Sequence, residues 1–437
     1  MVPENRPYPT RFIAVCALIV LFILVIGALR ALEQPIFRST AANSRNGETL
    51  PDSVIRRDEI KRKRWPEGFQ LHRYWWRGGA AVYIAEMDRT AENLEFNVEL
   101  ANNQILGRET ITNATRRLMN KKTLPLAGVN GSFGIREDSY GRGGMTFNLH
   151  IQNGELVSIP ISLDRWGYSP PSPWGETSFG VTPDGEFLLD RVHLNGQLRI
   201  DNADTLPINA INQICSSSCP VVLFTPRFGR RTLTRRSYEF TLKKLELPLT
   251  GKYKSRFVVT EVNRRGNSVI PSDGVVIAIE SRLARDWTKK IATSTKGTLE
   301  IALTPTKWQG VQQGVGGNLR LVRNGRIEPE LVRFGETRGR SASAHRNGAS
   351  RHPRSALGFN DEKLFLIAVD GRQHGYSMGM TLYDMGKFFS ELGIKHAINF
   401  DGGSSSTLWA LGGVANSPAH GYERRIFNIA MIRAKKR

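Results

Sequence analysis

Two aspartates carry the most suggestive chemistry in this chain. Asp370 closes the apolar run "LFLIAV" (364–369) and Asp401 closes "HAINF" (396–400), each followed at once by glycine. Two carboxyls at the ends of parallel buried strands suit a reaction in which one group handles a proton and the other acts as base or nucleophile, their unequal surroundings splitting their pKa values. The alternative is that each acid merely caps the turn after its strand. The following residues bear on that choice: "DGRQHGYSMGMT" supplies Arg372 and His374, and "DGGSSST" supplies Gly402, Gly403, Ser404 and Ser405. Glycines let backbone N–H groups approach an anion, and consecutive donors form a concave nest for phosphate oxygens.

The elements that must position these groups can be read locally. "LFLIAV" is a continuous apolar run of the kind that fills a strand buried on both faces. "TLYDMGKFFSEL" (381–392) begins with Thr381 as a helix N-cap and places Asp384 in the first turn; Leu382, Met385, Phe389 and Leu392 follow at helical spacing, and Gly393 is a natural stop. Strand, helix, strand of this length predicts a βαβ unit with a right-handed crossover. Its parallel strands would deliver Asp370 and Asp401 to one sheet edge, where open α/β folds bind ligands. Upstream, short apolar runs such as "AVYIAEMD", "LEFNVELANN", "RFVVTEVNRRG" and "VVIAIES" are broken by turn residues and read as strands. The expected fold is mixed α/β and strand-rich, one large domain over residues 69–437 with the βαβ unit near its C-terminus.

The front of the chain differs in kind. Residues 12–29, "FIAVCALIVLFILVIGAL", run 18 positions without a charge, about the minimum for a membrane-spanning helix. Arg6 and Arg11 would keep the tail, residues 1–11, in the cytoplasm and send the rest outward, although Arg30 and Arg38 weaken the asymmetry. A cleaved signal peptide is the alternative, disfavoured by the length of the stretch and the poor cleavage site in "GALRAL". Residues 30–68 are polar, end in a basic cluster, and read as a linker. Cys215 and Cys219 in "CSSSC" suit a short-loop disulfide in an oxidising compartment; free thiols come next, and no Cys or His pair has zinc-like spacing. The formal net charge of +21 predicts affinity for anionic polymers or anionic lipid. No helix-turn-helix, zinc or aromatic–basic motif points to nucleic acid.

Three stretches carry a family resemblance: "HPRSALGF" (352–359), "VDGRQHGYSMGMTLYDMGKFFSELG" (369–393) and "NFDGGSSSTLW" (399–409) closely resemble the phosphodiester glycosidase family. The similarity continues upstream in order, through "AGVNGSFG" (127–134), "VVLFTPRFG" (221–229), "VIPSDGVVIAI" (269–279) and "GVGGNLRLVRNGRI" (314–327), and reaches "ERRIFNIAMI" (423–432). Ser132 and Ser404 stand where the family usually has glycine.

The resemblance implies hydrolysis of a sugar 1-phosphodiester at its glycosidic C–O bond, on an envelope glycan or glycolipid. It implies no cofactor, although two acids beside a phosphate could hold a divalent cation. Stabilising the departing phosphate should matter more than protonating it, which makes Arg354 and Arg372 the candidate phosphate ligands, with Arg424 behind them. Asp401 is favoured over Asp370 as the carboxylate facing the oxocarbenium-like sugar. Asn130, Asn399, Thr381, Gly402, Gly403, Ser404 and Ser405 are candidate hydrogen-bonders to sugar or phosphate. The competing reading is a non-catalytic protein of exopolysaccharide assembly that binds anionic glycan in the same pocket.

Overall fold

The structure, a computed structural model, describes residues 36–41, 50–61, 65–119, 123–136, 143–161, 177–201, 205–214, 219–329, 331, 348–410 and 412–435. The expected membrane segment (12–29) and Cys215 lie outside the described residues. Among the described residues no helix is long and apolar enough to cross a membrane. Cys219 is disulfide-bonded.

The elements around the two acids are β1 (Ala80–Asp88), β2 (Leu94–Leu100), β3 (Thr123–Asn130), β4 (Arg354–Phe359), β5 (Lys363–Val369), α1 (Leu382–Glu391), β6 (His396–Asn399), β7 (Leu408–Ala410) and β8 (Asn428–Lys435). They form two sheets. A nine-stranded sheet runs in the order Ile36–Ala41, Val54–Lys61, Phe69–Trp76, β1, β5, β4, β6, Arg320–Arg323, Arg326–Ile327, and a five-stranded sheet in the order Gly413–Val414, β7, β3, β8, β2.

Burial explains the layering. Alternate residues of the large sheet, among them Tyr83, Leu357, Leu366, Ala368 and Ile398, pack against Val98, Val129, Leu408, Ala430 and Ile432 of the small one. The opposite face of the large sheet, with Val82, Ile84, Ile367, Val369, Ala356 and Ala397, is covered by Leu382, Met385, Phe388 and Phe389 of α1. The far side of the small sheet carries Trp409, Ile429 and Met431, which the helix Ile111–Leu118 covers with Ile111, Ala114 and Leu118. The centre is therefore helix, sheet, sheet, helix, and β5 is buried on both faces as its unbroken apolar run requires.

Helix α1 begins as expected: the Thr381 hydroxyl accepts from the Asp384 N–H at 3.0 Å, and Gly393 follows the helix with φ +75°. The βαβ expectation needs correction. β5 and β6 do run parallel, yet they are not neighbours, because β4 lies between them and pairs antiparallel with both. β4, joined to β5 by the short turn at residues 360–362, takes the place between them. Asp370 and Asp401 still leave the same edge, now two strand spacings, about 10 Å, apart.

The middle of the chain forms a further eight-stranded sheet, from Thr205–Ile208 through Lys252–Asn263 to Ala210–Ile211, and a five-stranded one that includes His150–Gln152 and Gln313–Gly316.

Candidate active site

The start of β4 is threaded between the two acid-bearing loops. His352 and Met380 exchange backbone hydrogen bonds at 3.2 and 3.1 Å, and Pro353 accepts from the Gly403 N–H at 2.8 Å. Glycine is required by these approaches. A Cβ on Gly379 (φ +87°) would lie 2.4 Å from the His352 carbonyl oxygen, and one on Gly402 would lie 2.9 Å from that of Pro353.

The backbone amides of the "DGGSSST" loop are not an open nest, which corrects the phosphate-nest expectation for Gly402, Gly403 and Ser405. Gly403, Ser405, Ser406 and Thr407 donate to Pro353 O, Gly402 O, Gly403 O and Asn130 Oδ1 respectively. The Gly402 N–H faces the Asp401 carboxyl. The loop is instead a rigid cradle for Asp401.

Asp370 is sealed. It is 0 % exposed. Its Oδ1 accepts from Asn416 Nδ2 at 2.8 Å and Ser417 N at 3.0 Å, and its Oδ2 accepts from the Tyr376 hydroxyl at 3.0 Å. Burial pushes its pKa up to about 6, against the pull of Asn416, Ser417, Tyr376 and the more distant Arg73 charge. Tyr376, whose own pKa is raised by burial and by Asp370, stays protonated as a donor and also meets the Tyr83 hydroxyl at 3.2 Å. Asn416 gives its remaining capacity to the Ser406 carbonyl (3.3 Å) and the Leu408 N–H (2.7 Å), so Asp370 is tied to the segment after Asp401. Every lone pair that a substrate would use is occupied by protein.

Asp401 is only partly buried. Its main chain is clamped: its N–H donates to Gly131 O at 2.9 Å, and its carbonyl accepts from Asn130 Nδ2 at 2.6 Å. Desolvation raises this carboxyl to about 6 as well, opposed by the Ser405 hydroxyl, the Arg136 charge and the Gly402 amide. The two acids therefore reach similar pKa values, not the split values expected of them, because burial dominates at both. The charges acting on them differ, Arg73 at Asp370 and Arg136 at Asp401.

The candidate ligands around the acids divide the same way. Asn130 is 1 % exposed, and its Oδ1 accepts from Ser355 Oγ and Thr407 N, so its amide is spent inside the protein instead of on a sugar. Thr381 is the helix cap. Arg354 is 7 % exposed, and its Nε and Nη2 donate to the Met380 and Ser350 carbonyls at 3.1 and 2.8 Å; burial and the neighbouring Arg372 lower its pKa to about 9. Arg372 is exposed, with φ +59°, and its guanidinium lies over the loop, 3.2 Å from where a Cβ on Gly403 would stand. It donates to His352 Nδ1 at 3.3 Å. Burial and the two arginines lower His352 to about 4, so this imidazole is neutral at pH 7.

Ser404 Oγ lies 2.6 Å from Nε2 of the exposed His420. Asn399, Ser406 and Thr407 are buried with side-chain oxygens that find no partner among the described residues. Arg424 is not among the charges that act on either acid; its neighbour Glu423 accepts from the Thr112 N–H at the start of the helix Ile111–Leu118. The Ser132 hydroxyl donates to Gly316 O and accepts from Asn428 Nδ2, a buried structural role.

Local sequence does not mark Arg136, Tyr376, Asn416, Ser417 or His420. Tyr376 lies within residues 369–393 but signals nothing by spacing; the other four reach the site through long-range pairing alone. Asp401 is thus the more accessible of the two carboxyls, with the Arg136 charge acting on it, while Arg372 lies over the neighbouring Gly403 and His420 meets Ser404.

Part of the chain is similar to a known family, and the fold to solved structures. Residues 252–433 match the family described as phosphodiester glycosidase. No curated protein matches the chain. Among solved structures, it resembles a hypothetical protein from Synechocystis (TM-score 0.68, 18 % identity, 85 % of this chain and 63 % of that one). It also resembles a putative exported protein from Burkholderia pseudomallei K96243 (TM-score 0.61, 17 % identity, 84 % and 75 %). A third match is the zebrafish N-acetylglucosamine-1-phosphodiester alpha-N-acetylglucosaminidase catalytic domain auto-inhibited by its pro-peptide (TM-score 0.41, 15 % identity, 91 % and 87 %). The first two likenesses show a shared fold, and the chain spans 63 % of the length of the Synechocystis protein. Residues 252–433, which hold both acids and their loops, are thus similar to the phosphodiester glycosidase family.

Proposed function

We propose that this protein hydrolyses the glycosidic C–O bond of a sugar 1-phosphodiester, with Asp401 as the carboxylate that serves the anomeric carbon. The observation that carries the reading is the Asp401 cradle: a partly exposed acid, raised to about 6, held by main-chain and Ser405 contacts under the Arg136 charge, with Arg372 over the adjoining Gly403. In the reaction, water adds to the anomeric carbon as its bond to the phosphate oxygen breaks. The bonding pair leaves with the phosphomonoester, and the ionised Asp401 takes up the charge or the proton of the attacking side. Arg372 and Arg136 face the leaving phosphate, where fixed cations lower the barrier without reorganising. Asp370 is a positioning residue that fixes Asn416 and, through it, the 406–408 segment. The unmet oxygens of Asn399, Ser406 and Thr407 support a loop built to hold further hydrogen bonds.

The location is part of the proposal. The apolar stretch 12–29 acts as an anchor and leaves the domain outside the cytoplasm, where the substrate is an envelope glycan or glycolipid. The family match and the site support this reading of the chemistry; the anchor rests on the sequence.

A second reading, binding of anionic glycan without turnover, is favoured by one observation: Asp370 is sealed, leaving a single accessible acid. A phosphate leaving group needs no protonation, so one acid suffices for hydrolysis. Turnover of an aryl or uridine-type sugar 1-phosphodiester decides between the two; binding across a panel of such compounds with no release of sugar would establish the second.

A further inference from the structure

Away from the acids, two loops of the eight-stranded sheet concentrate positive charge. Residues 226–237, "PRFGRRTLTRRS", and 263–270, "NRRGNSVI", contain no acid and no lysine. Arg230, Arg231, Arg235, Arg236, Arg264 and Arg265 are all exposed. The fold joins the loops firmly. Thr232 N donates to Ser268 O and Ile270 N to Arg230 O, each at 3.1 Å, and Asn267 N reaches Thr234 Oγ1 at 3.2 Å. Beneath them Glu239, 1 % exposed, accepts from Thr232 Oγ1 at 2.7 Å, Thr234 Oγ1 at 2.5 Å and Ser268 N at 2.7 Å. A buried carboxylate thus spends its bonds on fixing the shape of an arginine-bearing surface.

Beneath the surface, these loops pack against the segment that carries Arg136. Phe228, Ile270 and Leu233 share an apolar cluster with Met145 and Ile135. Ile135 directly precedes Arg136, the residue whose charge acts on Asp401.

We infer that this arginine lobe docks the polyanionic continuation of the substrate, a chain whose repeating phosphates run on from the bond cut at Asp401. The partner's chemistry rests on the phosphodiester glycosidase reading. Arginine forks pair bidentately with phosphate oxygens, which fits a surface built from arginine alone. A lipid surface fits less well, because it rewards apolar residues among the charges, and Val269 at 57 % exposure is the one exposed large apolar side chain on these loops.

The test is direct binding, which needs no turnover and so fails or succeeds separately from the assignment of the site. The full chain, kept in neutral detergent, is titrated with inorganic polyphosphate over a range of salt. It is compared with an Arg230→Gln/Arg236→Gln/Arg264→Gln/Arg265→Gln variant and with a charge-matched Arg77→Gln/Arg116→Gln/Lys252→Gln/Lys289→Gln control, all at exposed positions. The lobe variant should bind at least about tenfold more weakly at low salt, with a log–log salt slope shallower by about 3, and the control should bind as the wild type does. Equal losses in both variants would reduce the effect to net charge and overturn the proposal, as would no loss in the lobe variant. If phosphatidylglycerol vesicles, but not polyphosphate, lose binding in the lobe variant, the surface serves a membrane and the proposal is wrong.

Discussion

Asp401 and Asp370 reach the same raised pKa, about 6, from different circumstances: one is partly exposed with the Arg136 charge acting on it, the other is enclosed by Asn416, Ser417 and Tyr376. A carboxylate that must be ionised to act, with that pKa, gives kcat/KM a single limb that rises through about pH 6 to a plateau. A profile of kcat/KM from pH 4.5 to 8.5 checks this, and activity that is maximal at pH 4.5 would contradict it. For Asp370 the raised value is also a statement about stability. Its folded-state pKa exceeds that of the unfolded chain, so the contribution is favourable below about pH 4 and is lost as pH rises through about 6, at an eventual cost of about 3 kcal/mol. Asp370→Asn removes that titration. Its thermal midpoint should gain on the wild type between pH 4 and pH 7.5; a constant difference across that range would show that Asp370 does not titrate as described.

The two acid loops are the elements on which the geometry depends, and their glycines are the sensitive points. Gly403→Ala places a side chain at φ +64°, 3.2 Å from Arg372 Nη2. About 1 kcal/mol of stability should be lost to backbone strain, and Arg372 should be displaced. Inorganic phosphate, used as a competitive inhibitor, should then bind several-fold more weakly; unchanged inhibition would remove Arg372 from the phosphate position. These loops also show what the sequence could reveal. The strand before Asp370, the cap at Thr381 and the apolar face of α1 were legible, since each depends on residues within about ten positions. The place of β4 between β5 and β6 was not, because β4 forms a hairpin with β5 but its pairing with β6 joins distant segments of the chain. Asn416 and Ser417 reach Asp370 from more than 40 positions away, so no spacing rule could find them. The burial of Arg354 was hidden for a related reason: charge suggested a phosphate ligand, and the fold turns two of its donors toward the carbonyls of Met380 and Ser350.

At the scale of the whole molecule, the site lies along one edge of the nine-stranded sheet and is roofed by segments of the five-stranded one. The arginine lobe belongs to the eight-stranded sheet. The apolar stretch 12–29 predicts that the full chain fractionates with membranes and resists extraction by alkaline carbonate, whereas a chain beginning at residue 30 is released; carbonate release of the full chain would refute the anchor. All of this serves one chemical claim, cleavage at the sugar carbon by means of Asp401. Hydrolysis of an aryl sugar 1-phosphodiester in 18O-labelled water tests it most directly. The label should appear on the anomeric hydroxyl of the released sugar, and Asp401→Asn should slow the release by at least about a hundredfold with the fold intact. Label in the phosphate product, or near-normal turnover by the Asn variant, would contradict it.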